Sequence, residues 1–157
     1  MQAAYDVRHK YMTYVILIYF TRCKNMGETL ILPCETASKV VIPAIRAYIA
    51  RELVESYDLK QDEVAKILGM TQSAVSKYTS HSRGSLLRID RIKEVQPLLA
   101  ELVALTATEK DVSRKELLEK LCQTCQAVRK TGIMCPLCKK ADESIKVQGC
   151  SYCLGEV

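Results

Sequence analysis

The chain has 157 residues, a net charge of +5, 48% hydrophobic residues and 26% charged ones. That mixture excludes a disordered chain and leaves room for one ordinary domain or two small ones. Aromatics are sparse, and four of the eight Tyr and the single Phe lie in the first 20 residues, so the remainder must build an aliphatic core.

Residues 1–25 differ from the rest: Tyr-rich, basic, and ending in Cys23-Lys24-Asn25. They read either as an N-terminal arm with a strand at Tyr14–Phe20 or as an over-called start, Met26 being the alternative initiator; the second is preferred. The apolar run Tyr11–Phe20 is too short to span a bilayer, which takes roughly 17–25 residues. Thr21-Arg22-Cys23-Lys24 stands where a signal peptidase would want small residues. No membrane association is expected, and the expected compartment is the cytoplasm, where paired thiols are more often metal ligands than disulfides.

From Val40 a helical period begins, carried by Ile42, Ile45, Ile49 and Leu53 and running to about Tyr57, with Pro43 suited to its first turn. Gln61–Leu68 reads as a short helix with Val64, Ala65, Ile67 and Leu68 on its apolar face, and Gly69 ends it. Thr71 is an N-cap for a third helix, Gln72–Thr79, and 81–85 is a loop. Leu86–Leu105 is amphipathic, with Pro97 a kink or break. Ser113 and Glu116 form a capping box for a helix through Leu117, Leu118 and Leu121, with Gly132 as its stop. Residues 134–157 are cysteine-rich and poor in core side chains, so they need a staple to fold.

The segment 61–78 carries a helix-turn-helix pattern. Ala65 is small where two helices cross, and Gly69 supplies a left-handed turn four residues later. Val75 and Tyr78 fall inward. Thr71, Gln72, Ser73, Ser76 and Lys77 lie on the outward side, with Arg83 following. Amides and hydroxyls suit base edges, and cations suit guanine or phosphate. From Thr71 to Lys93 there are five basic residues (Lys77, Arg83, Arg88, Arg91, Lys93) against one acid, Asp90, a local footprint fit for a phosphate backbone.

Three Cys-x-x-Cys pairs follow: Cys122/Cys125, Cys135/Cys138 and Cys150/Cys153, separated by 9 (126–134) and 11 (139–149) residues. Two residues between thiols let one turn present both sulfurs to a single ion. Cys135-Pro136-Leu137-Cys138 and Cys150-Ser151-Tyr152-Cys153 read as knuckles of a zinc ribbon, with Cys122/Cys125 as a replacement pair, a second site or free thiols. Structural zinc is preferred, an iron–sulfur cluster is the second reading, and a redox dithiol the third. Cys23 and Cys34 are expected to be small buried hydrophobes.

On Ala65…Gly69…Thr71-Gln72…Val75-Ser76, residues 58–84 resemble the Xre/lambda-repressor-type helix-turn-helix. With the cysteine pairs added, residues 30–157 resemble a family of archaeal transcriptional regulators. Lys60 departs from the pattern, which has Ser or Thr capping the second helix. The resemblance implies a sequence-specific regulator that binds double-stranded DNA. No catalytic activity is expected, since the sequence has no Gly-rich phosphate loop, no nucleophile with a base and no acid pair in a recognisable context.

The expected architecture is mainly α: a lambda-repressor-like helix-turn-helix domain (26–85), a helical connector (86–121) and a small metal-stapled module (122–157). A homodimer is expected, because one helix-turn-helix covers one half-site and Leu98, Leu99, Leu102 and Leu105 form an apolar stripe. No small-molecule substrate is identified. The rival readings are a thiol–disulfide redox protein and a zinc-ribbon adaptor of the transcription machinery.

Overall fold

The computed structural model describes residues 32–108, 113–143, 150, 152 and 153; the readings placed on residues 1–25 lie outside them. Among the described residues the protein is helical, without a strand. Helix α1 spans Pro33–Glu55, α2 Gln61–Leu68, α3 Gln72–Thr79, α4 Gln96–Thr108, α5 Arg114–Lys130 and α6 Cys135–Ala141, with a single 3-10 turn at Ile89–Arg91. No described helix is long and apolar enough to cross a membrane.

Helix α1 starts seven residues before the expected Val40, because Pro33 takes the first-turn position foreseen for Pro43. Pro43 lies instead inside the helix, where it cannot donate the i→i−4 hydrogen bond. Buried residues of α1 (Ala37, Val41, Ala44, Ile45, Ala47, Ile49, Ala50, Leu53) occupy more than one face. The reason is its position: α2, α3, α4, α5 and α6 all pack against it. The alanines let neighbours approach closely, while Ile45, Ile49 and Leu53 are each worth roughly 1.5–3 kcal/mol of burial.

The α2–α3 hairpin is built as expected. Val64, Ala65, Val75 and Tyr78 are buried, and Gly69 is left-handed at φ 62°. Met70 N–H donates to the Ala65 carbonyl at 2.9 Å and Gly69 N–H to that of Lys66 at 3.3 Å, the paired bonds of a Schellman ending. Ile67 was placed on the inner face but is 39% exposed, since Val64, Ala65 and Leu68 already fill the seam. Lys60 has no acceptor to cap α2, so the Glu63 carboxylate makes only the return bond, accepting from Lys60 N–H at 2.9 Å.

The stretch 86–105 is broken beside Pro97: it holds a 3-10 turn at Ile89–Arg91, and α4 starts only at Gln96, with Pro97 in its first turn. Of the leucine stripe proposed for a dimer, Leu99 and Leu102 are fully buried and Leu98 and Leu105 half-buried. Leu99 and Leu102 belong to the core that α4 closes against α1, so these two are covered within the chain. Ser113 caps α5, accepting from Glu116 N–H at 3.1 Å, and Gly132 ends it at φ 75°. Leu118 faces outward at 51% exposure, because Leu117, Leu121, Thr124 and Val128 make the inner stripe.

After α3 the chain folds back. Ser82 Oγ and Arg83 N–H donate to the Lys77 carbonyl at 3.1 and 3.0 Å, and Gly84 then settles on α1 at φ 76°. A β-carbon there would come within 2.5 Å of both Ala47 Cβ and the Pro43 carbonyl oxygen, whereas one at Gly69 would meet nothing within 4 Å. Gly69→Ala should therefore cost only the left-handed strain, about 1–2 kcal/mol. Gly84→Ala adds overpacking and should cost about 2–5 kcal/mol. Urea denaturation of the two variants checks this; equal losses would mean that the loop stands off α1.

Candidate functional site

Two groups of side chains stand out on this frame. The first is the outer side of the α2–α3 hairpin. Thr71 caps α3, its hydroxyl accepting from Ala74 N–H at 3.3 Å and lying 3.1 Å from Ser73 Oγ. Gln72, Ser73 and Lys77 are exposed, while Ser76, expected beside them, is half-buried. The Ser76 carbonyl accepts from Thr79 Oγ1 and Ser80 N–H at the end of α3.

Gln61 was missing from the sequence reading. Gln72 Nε2 donates to Gln61 Oε1 at 2.8 Å, and Gln61 Nε2 reaches Thr79 Oγ1 at 3.5 Å. The only signal in the sequence was that each glutamine opens its own helix on either side of the turn. The brace holds the Gln72 amide in one orientation, with hydrogen-bonding capacity left facing outward.

Arg83 is exposed, with its guanidinium carbon 5.4 Å from the centre of the Tyr78 ring. Cation–π attraction there is worth about 0.5–1 kcal/mol and aims the charge alongside α3. Arg88, counted in the basic footprint, is tied to Asp90 by two bonds of 3.1 and 3.2 Å. The Arg88 guanidinium in turn holds the Asp90 carboxyl below the usual carboxylate range.

The second group is the thiols; none of the seven described ones is in a disulfide. Cys135 and Cys138 do not form a knuckle: they sit on the first turns of α6, with Pro136 at its start and both Leu137 and Cys138 N–H donating to the Met134 carbonyl. The Gly132 turn swings the chain out of α5, and Pro136 presets helical φ, which favours a helix over a loop. The remaining residues of the expected ribbon hairpin lie largely outside the described ones.

Cys135, Cys138, Cys150 and Cys153 line one pocket of about 250 Å³, together with Arg129 and Lys130. Burial pushes the Cys135 and Cys138 thiols up, and the Cys153 and Cys150 sulfurs push the same way. The Thr36 hydroxyl of α1 works against this by hydrogen-bonding to Cys138. Among the described residues no three Cys, His, Asp or Glu side chains are drawn into a tight group, so the convergence is of four thiols around a shared space.

The Cys122/Cys125 pair parts company. Cys122 is exposed, and Cys125 is half-buried, its thiol pushed up chiefly by desolvation and only partly relieved by Arg129. Cys34 was expected to be buried; it is exposed, on the first turn of α1, within electrostatic reach of Cys125 and Arg129. Cys135 and Cys138 of α6, with Cys150 and Cys153, are soft donors of the kind a thiolate-bound metal takes, but they line one pocket without being drawn into a metal-holding group. Compared with known proteins, the chain matches no family model, no curated protein and no solved structure.

Proposed function

We propose that this chain is a sequence-specific DNA-binding transcriptional regulator without catalytic activity, with α2 and α3 as a lambda-repressor-type helix-turn-helix. The observation that carries the reading is the outer side of α3. Gln72, Ser73 and Lys77 are exposed together, Gln72 is braced by Gln61, and Val75 and Tyr78 pin the helix from behind. An amide held in one orientation can read a base edge bidentately, and Lys77 and Arg83 flank it with charge for guanine or phosphate.

In the same reading Cys135, Cys138, Cys150 and Cys153 hold a metal, zinc in preference to an iron–sulfur cluster, which would staple the C-terminal module. Cys122 and Cys125 stand aside from that set. The redox-dithiol reading gains nothing from Cys135, whose thiol is pushed up, opposite to a reactive nucleophile. Because one hairpin covers one half-site, the regulator acts as a two-fold homodimer, joined by surfaces other than the buried leucines of α4.

On an operator selected from random duplexes, Gln72→Ala should weaken specific binding by roughly 1–3 kcal/mol and leave non-specific binding nearly intact. Gln61→Ala should lose part of the same discrimination. Arg83→Ala should weaken both kinds of binding and reduce the salt slope by about one. Unchanged titrations with both Gln72→Ala and Lys77→Ala would end the assignment of α3 as the reading helix.

For the thiols, Cys135→Ser and Cys138→Ser should abolish stoichiometric metal in protein purified without oxygen, and Cys122→Ser should retain it. Elemental analysis decides; metal lost from Cys122→Ser and kept in Cys135→Ser would reverse the ligand set.

A further inference from the structure

Arg129 is a half-buried cation in the last turn of α5, and it forms no ion pair with a carboxylate among the described residues. Its guanidinium lies beside the Cys153 sulfur, and it lines the pocket of four thiols alongside Lys130. Its Nε is buried with no hydrogen-bond partner. Holding a guanidinium this way is costly unless negative charge and acceptors stand close by. Among the described residues, the groups near it able to supply both are sulfurs: Cys153, Cys125 one turn back on the same helix, and Cys34.

We infer that Arg129 is the positioning residue of the thiol site: it donates to the Cys153 sulfur and balances the charge that the thiolates bring to a bound divalent ion. This rests on the reading of Cys135, Cys138, Cys150 and Cys153 as ligands. Four thiolates around a divalent ion leave two excess negative charges, and Arg129 and Lys130 are the two cations on the wall of the pocket. N–H donors to thiolates form charge-assisted bonds, stronger than those to neutral thiols, so the contact gains strength when the ion binds. The guanidinium also ties residue 153 to α5, fixing the last ligand pair against the helix that precedes the first.

Packing is the competing role, since the methylene stem alone would cover the pocket wall. Arg129→Met keeps that stem and removes charge and donors, whereas Arg129→Lys keeps the charge and loses the fork. The full chain, loaded with zinc ion alone, is titrated against a chelator, and the metal-free chain is unfolded in urea.

Arg129→Met should weaken zinc binding roughly 10- to 100-fold, the usual cost of removing an outer partner of a ligand, with the urea midpoint of the metal-free chain unmoved. Arg129→Lys should recover part of the loss. Equal affinity of wild type and Arg129→Met overturns the inference, as does a loss matched by lower stability of the metal-free chain. A wild-type chain that takes no zinc removes the ligand reading and this inference together, whereas zinc bound equally by wild type and Arg129→Met removes only the second.

Discussion

Every helix of residues 32–143 is held by its contact with α1. Without α1, the substantial helix–helix contacts that remain are α2 with α3 and α4 with α5, two hairpins with nothing to bury against. A helix that serves five partners must be apolar on several sides, and it must be small where they press closest. Ala37, Ala44, Ala47 and Ala50 meet the second demand, and Ile45, Ile49 and Leu53 the first. The tightest of these meetings is Gly84 on Ala47 and the Pro43 carbonyl. It sets where the loop after α3 begins its return, and so where Arg83 sits beside Tyr78.

The same helix touches the cysteine-rich end through different residues. Pro33 borders the thiol pocket, and the Thr36 hydroxyl reaches Cys138. Among the described residues beyond α5, Met134 and Cys138 are buried, and Ile133, Leu137 and Cys153 pack against the core only partly buried. That is a modest return for ordering a segment whose backbone costs about 1–2 kcal/mol per residue to fix. That modest return is what the metal staple proposed above would supplement.

The hairpin was legible in the sequence because its constraints are local. Gly69 was needed for a left-handed turn, Thr71 for a cap, Ala65 for a crossing, and each sits where its backbone or burial demands it. The α1 boundary was missed because Pro33 and Pro43 carry the same local signal and only the tertiary frame distinguishes them. The leucines of α4 looked like a spare stripe because their partner, α1, lies more than 40 residues earlier in the chain. The Cys135-Pro136-Leu137-Cys138 segment was read as a loop knuckle, although proline just inside a helix start is as ordinary as proline in a turn. Gln61 and Thr36 were invisible because each acts through a residue that is distant in sequence or on another helix.

Pro43 has a bearing on how the molecule opens. Lacking an N–H, it cannot donate to the Lys39 carbonyl, so the hydrogen-bond ladder of α1 is interrupted at that rung. On one side of the gap lie Pro33 and Thr36, next to the thiols. On the other lies Ala47, under the glycine that anchors the α3 loop. Cooperative opening follows continuous ladders and shared cores, so the gap is a natural seam between two exchange units within one helix. The amides of residues 34–42 are then free to exchange with solvent at a lower opening cost than those of residues 44–55. The thiol-bearing end could fray and re-form while the half of α1 under the α3 loop stayed closed.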